Sequence, residues 1–149
     1  MNVQQLMDAV MQLDAHDALP SKLTLEDWKR LAPYLSMRFL HPDEVLMQAG
    51  ETDRDLYILS EGELQVVVSN TVLATLKPGT VVGEGTFFSG EARSATVMAS
   101  MPGVAWSLSP ERFKALSAKH PKVALDLVMA LATLLAIRMR QAILVGHFA

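Results

Sequence analysis

A chain of 149 residues that is half apolar, 19% charged and of net charge −3 has the material for one domain with a real core. It carries no Lys/Arg block, which argues against a dedicated nucleic-acid surface, and it has no cysteine, which excludes a disulfide framework and a thiolate metal site. The N-terminal MNVQQLMDAV lacks the basic start and apolar run of a secretion signal, so a cytoplasmic location is expected.

Residues 3–14 place Val3, Leu6, Met7, Val10 and Leu13 at helical spacing. After Pro20-Ser21, Thr24 opens a second helix with Asp27 in the capping-box position. Leu25, Trp28, Leu31 and Leu35 form its apolar face, and Pro33 keeps it short. From Ser36 the pattern changes. The runs MRFL, EVLMQ, DLYIL, ELQVVVS, VLATL, TVV, ATVMASM and GVAWSL alternate with turn residues such as His41-Pro42-Asp43, Ala49-Gly50, Glu61-Gly62, Ser69-Asn70, Pro78-Gly79 and Pro102-Gly103. Many short strands with regular turn signals predict a sandwich, jelly roll or barrel. Ser109-Pro110-Glu111 then caps a helix, with proline at its first position and an acid near its positive end. His120-Pro121 breaks it, and a long helix runs over 121–144. The most apolar window of that helix, LVMALATLLAI at 127–137, is eleven residues long. A membrane span needs roughly 20, so none is expected.

The chemistry concentrates in GEGTFFSGEARSATV, residues 83–97. Glycine admits positive φ and close approach of a ligand to the backbone. A short helical turn between Gly85 and Ser89 would aim several N–H groups at one spot, which suits an anion. Arg93 would add a planar guanidinium matched to a phosphate. Glu84 repels an anion but accepts a hydrogen bond from a hydroxyl, so the pair fits a sugar phosphate better than a simple oxyanion. A surface salt bridge between Glu84 and Arg93, worth ~0–1 kcal/mol, is the structural alternative. A dinucleotide fingerprint fails on the last glycine and the missing long helix, and a P-loop fails for lack of Gly-Lys-Ser/Thr. His16, His41, His120 and His147 have no metal spacing, and no nucleophile has a positioned base, so neither a metal site nor an enzyme is expected.

The stretch resembles the phosphate-binding cassette of cyclic-nucleotide-binding domains, of the catabolite-activator and protein kinase A regulatory-subunit kind. Gly83-Glu84, the nine-residue step to Arg93, and Ser94-Ala95-Thr96-Val97 match it, as do the upstream Gly50-Glu51, Leu56-Tyr57-Ile58, Gly62 and Gly79. The likeness covers about residues 25–145. It implies an eight-stranded jelly-roll β-barrel (double-stranded β-helix), mainly β with flanking helices. Within one domain, 1–149, the N-terminal helices would occupy 1–35, the β-roll 36–108 and the C-terminal helices 109–149. Residues 110–118 would be the family's B helix, and 121–144 its C helix, which caps the base.

The resemblance also implies roles. Glu84 would bind the ribose 2′-hydroxyl and Arg93 the cyclic phosphate. Amides near Gly85, Thr86 and Ala95, with Gly83 at the turn, would add hydrogen bonds, and so would the Ser94 hydroxyl. Arg138 is read either as a lid residue over the purine or as the polar end of a dimer seam built on Leu127, Leu131 and Leu134. The residues after Glu84 depart from the family pattern: Gly85 removes an expected core anchor, and Thr86 adds bulk and a hydroxyl. The ligand is expected to be cAMP or cGMP, with no cofactor. The expected role is that of a stand-alone sensor, a homodimer through its last helix, acting on an effector protein. With no room for a helix-turn-helix after the last helix, DNA binding by this chain alone is not expected. The competing reading is a ligand-free dimeric interaction module with a degenerate pocket.

Overall fold

The computed structural model describes residues 2–144. Residues 145–149, His147 among them, were expected to belong to the C-terminal helical segment and lie outside the described residues. Two helices lead the chain. Helix α1, Val3–Gln12, is capped by Asn2, whose side chain exchanges hydrogen bonds with Gln5. Helix α2, Leu25–Leu31, starts from the reciprocal Thr24–Asp27 capping box and continues into a 3₁₀ turn, Ala32–Tyr34.

All eight strand-like runs are strands: β1 (Ser36–Leu40), β2 (Val45–Met47), β3 (Leu56–Glu61), β4 (Leu64–Val68), β5 (Thr71–Leu76), β6 (Val81–Val82), β7 (Thr96–Ala99) and β8 (Gly103–Leu108). They pair as two four-stranded antiparallel sheets, in the orders β1-β8-β3-β6 and β2-β7-β4-β5. The expected barrel is therefore two facing sheets, with no strand pair joining them into a closed wall among the described residues. Asp43, in the turn between β1 and β2, has φ +67°, the left-handed conformation that glycine adopts most cheaply.

Alternation on β3 and β8 divides the core. Tyr57, Leu59 and Ala105 face the space between the sheets, with Leu40, Leu46, Leu64, Val82 and Val97. Leu56, Ile58, Val104, Trp106 and Leu108 face the other way, into a helical layer. Strand β3 is thus buried on both faces, which is why its sequence, LYIL, reads as a continuous apolar run rather than an alternating one.

The helical layer consists of α1, α2, α4 (Pro110–Lys119) and α5 (Pro121–Leu144). Leu127, Leu131 and Leu134 of α5 are almost fully buried in it, so of the two readings of that stripe, a dimer seam or packing against its own fold, the structure shows the second. The exposed face of α5 carries Leu125, Met129, Met139 and Ile143 instead. No helix among the described residues is long and apolar enough to cross a membrane.

Candidate functional site

Between β6 and β7 the chain forms a six-residue helix, α3 (Glu84–Ser89), one residue longer at its start than the expected turn. Glycines in the left-handed conformation close both ends: Gly83 at φ +86° and Gly90 at φ +73°. Phe87 anchors α3 in the helical core and meets Phe113 edge-on at 5.9 Å, while Phe88 stays partly exposed. Arg54, just before β3, donates from Nη2 to the carbonyls of Phe87 (2.8 Å) and Phe88 (3.3 Å) and so holds the C-terminal end of α3.

Arg93 is fixed by its backbone and its side chain together. Its N–H donates to the Glu51 carbonyl at 2.7 Å, and the Gly50 N–H donates to its carbonyl at 2.8 Å. This clamp is the physical task of the Gly50-Glu51 pair. The guanidinium is 1% exposed. Nη1 donates to the Gly83 carbonyl at 3.0 Å, and Nη2 donates to the Asp55 carbonyl at 2.6 Å and to Asp53 Oδ2 at 2.9 Å. Nε is buried with no hydrogen-bond partner among the described residues. Buried donors are rarely left unpaired, so Nε is an open donor position on a buried cation whose carboxylate partner, Asp53, is itself partly exposed. Gly83 is required twice here: its φ is positive, and a Cβ would lie 2.8 Å from Arg93 Nη1.

A cavity of about 270 Å³ opens beside this arginine. Gly83, Glu84, Gly85, Thr86, Arg93, Ser94 and Ala95 line it, so it gathers all the cassette residues expected from the sequence. A second cavity, of about 210 Å³, shares Gly83 and Glu84 with the first and adds Val66, Leu76, Val82, Asp17 and Arg138. Arg138 therefore points into the site and does not lie on the exposed face of α5. Its Nη1 lies 2.7 Å from Glu84 Oε1, its Nε donates to Asp17 Oδ2 at 2.9 Å, and its Nη2 donates to the Val81 carbonyl at 2.8 Å. Burial works against its charge, but the Glu84 and Asp17 carboxylates more than offset it and hold the guanidinium above its ordinary pKa.

Glu84 and Arg93 thus take different partners, and the surface salt bridge weighed as the structural alternative does not form. Gly85 is corrected as well. It is exposed, and a Cβ there would meet nothing within 4 Å, so no core anchor is missing. Asp17, Asp53, Arg54 and Asp55 were not anticipated. Nothing local marks them, because Asp53 lies 40 positions from Arg93 and Asp17 lies 121 from Arg138.

The profile of the cyclic nucleotide-binding domain matches residues 37–120. The chain belongs to the cyclic nucleotide-binding domain family. A cyclic nucleotide-binding domain from Methylobacillus flagellatus superimposes with a TM-score of 0.80 at 23% identity, covering 94% of this chain and 79% of that one. The catabolite activator protein of Thermus thermophilus follows at 0.71 and 27% identity, over 83% of this chain and 58% of that one. An uncharacterised NTE family protein of Mycobacterium tuberculosis is 30% identical over 111 residues, which is 74% of this chain and 19% of that protein. This cyclic nucleotide-binding domain spans about a fifth of the length of that relative.

Proposed function

We propose that the chain is a cyclic-nucleotide sensor, a single regulatory binding domain and not an enzyme, whose ligand is cAMP or cGMP. The observation that carries this reading is Arg93: a guanidinium sealed from solvent, clamped by carbonyls, with one nitrogen unpartnered, at the wall of a cavity in a domain of this family. In this reading Arg93 takes the cyclic phosphate and Glu84 the ribose 2′-hydroxyl. The amides of Gly85, Thr86 and Ala95 and the Ser94 hydroxyl complete the cradle. The base enters the second cavity, against Val66, Leu76 and Val82. The two cavities together reach the roughly 300–1,000 Å³ of small-molecule sites.

The output passes through α5 to an effector protein. The exposed face of α5 supports a homodimer: Leu125, Met129, Ala132, Ala136, Met139 and Ile143 recur at steps of four and three, the spacing of a two-helix seam. The test is calorimetric titration of ligand-stripped protein with cAMP and cGMP. One saturable site per chain at micromolar affinity or tighter is expected. Folded protein that takes up neither nucleotide would reject this reading in favour of the ligand-free dimeric module.

A further inference from the structure

One oxygen of the Glu84 carboxylate, Oε1, is already engaged in this structure. The Glu84 side chain is 12% exposed, and Arg138 Nη1 sits 2.7 Å from Oε1. Arg138 is held from two further sides, by Asp17 Oδ2 and by the Val81 carbonyl, so each of its three guanidinium nitrogens has an acceptor. The three acceptors come from three parts of the fold. Glu84 opens α3, Val81 begins β6, and Asp17 lies in the connector between α1 and α2. Glu84 and Gly83 form the wall shared by the two cavities, so the Glu84–Arg138 pair stands at their junction.

We infer that Asp17 and Arg138 form a latch that occupies Glu84 in the empty domain, so that nucleotide entry and the closed latch compete for one carboxylate; the inference rests on the nucleotide reading of this site. A ribose hydroxyl is a neutral donor, and the guanidinium it displaces is a charged one. Charge-assisted hydrogen bonds are roughly twice as strong as neutral ones, so the exchange at Glu84 opposes binding. The phosphate contact at Arg93 must supply the difference. Only the unlatched fraction of molecules is then binding-competent, and the apparent affinity is lowered by that fraction. Asp17 is a positioning residue in this scheme. It lines only the second cavity and acts by holding Arg138 in place.

The test is Asp17→Asn, an isosteric change at a half-exposed carboxylate, followed by titration and stopped-flow mixing with cAMP and cGMP. Removing one partly exposed ion pair should raise affinity about two- to fivefold. The association rate should rise by the same factor, with the dissociation rate unchanged, as a pre-equilibrium requires. In an Arg138→Met background, Asp17→Asn should have no further effect, because Asp17 acts through Arg138. Wild-type binding with equal or weaker affinity in Asp17→Asn overturns the latch alone. If wild type, Asp17→Asn and Arg138→Met all fail to bind either nucleotide, the nucleotide reading falls and the latch with it. Binding by a variant but not by wild type supports both.

Discussion

Two neighbouring glycines of the cassette do opposite work. Gly83 has φ +86°, and a Cβ there would meet Arg93 Nη1 at 2.8 Å and the Asp55 carbonyl at 2.9 Å. Gly83→Ala should therefore cost about 1–3 kcal/mol of stability and displace the guanidinium, which denaturant unfolding and nucleotide titration together would register. Gly85 has ordinary helical backbone and open space around it. Gly85→Ala should stabilise the fold by ~0.4–1 kcal/mol in the same unfolding measurement, because alanine restricts the unfolded chain. Arg93→Ala removes the anion partner and should weaken nucleotide binding by about 1.5–3 kcal/mol, the range for hydrogen bonds to charged groups. Unchanged affinity would refute the role given to the arginine. At this scale the clustering of Gly83, Glu84, Arg93, Ser94 and Ala95 was legible in the sequence, since they are local neighbours and line one cavity. Asp53 and Asp17 were not, because their partners lie far along the chain.

The elements are stabilised by signals that sit at their own ends. Thr24 and Asp27 cap α2 reciprocally, with bonds of 3.2 Å from the Asp27 N–H to Thr24 Oγ1 and 3.0 Å from the Thr24 N–H to Asp27 Oδ2. The hydrogen bond from the Thr24 backbone N–H is the main reason why the Asp27 carboxyl lies below its ordinary pKa, against the opposing effect of burial. In the ordinary aspartate range the folded chain therefore binds fewer protons here than the unfolded chain. The cap's contribution is complete above that range and is lost as pH falls through the lowered value. Asp27→Ala should cost ~0.5–1.5 kcal/mol at neutral pH, and the gap to wild type should close in acid, as read by thermal melts across pH. Ser109 and Pro110 likewise start α4, as their order in the sequence indicated. The Asn2–Gln5 cap of α1 follows the same rule, though only the apolar spacing of that helix had been noted.

At the scale of the whole molecule, α5 serves two surfaces. Its inner face carries Leu127, Leu131, Leu134 and Arg138 toward the fold, and Arg138 ties it to Glu84 at the cavity wall. Its outer face leaves Met129, Ala132, Ala136 and Met139 exposed. A latch opening at Arg138 therefore acts within one helical turn of the outer face, which offers a route from ligand to partner. Ala136→Arg places a charge at the middle of that face without touching the core. It should convert a dimer to a monomer in sedimentation while leaving the melting temperature of the monomeric fold unchanged. A variant that sediments as the wild type does would place the interface elsewhere.

The sequence by itself determined the order of the elements, the eight strands and the grouping of Gly83, Glu84, Arg93, Ser94 and Ala95 around one cavity. Capping pairs, turn glycines and apolar period act over a few residues, and each carries its own conformational preference. The tertiary structure alone decided what the faces and charges meet. Helix α5 is apolar on two sides, so its periodicity is satisfied equally by a core stripe and a dimer stripe, and only packing within the helical layer, against α4, α2 and α3, assigns Leu127, Leu131 and Leu134 to the core. Strand alternation permits either a closed barrel or two sheets, and the pairing chooses two sheets. Arg138 reads as a lid residue or the polar end of a dimer seam until the fold brings Glu84, Asp17 and Val81 around it, because an ion pair has no sequence spacing of its own.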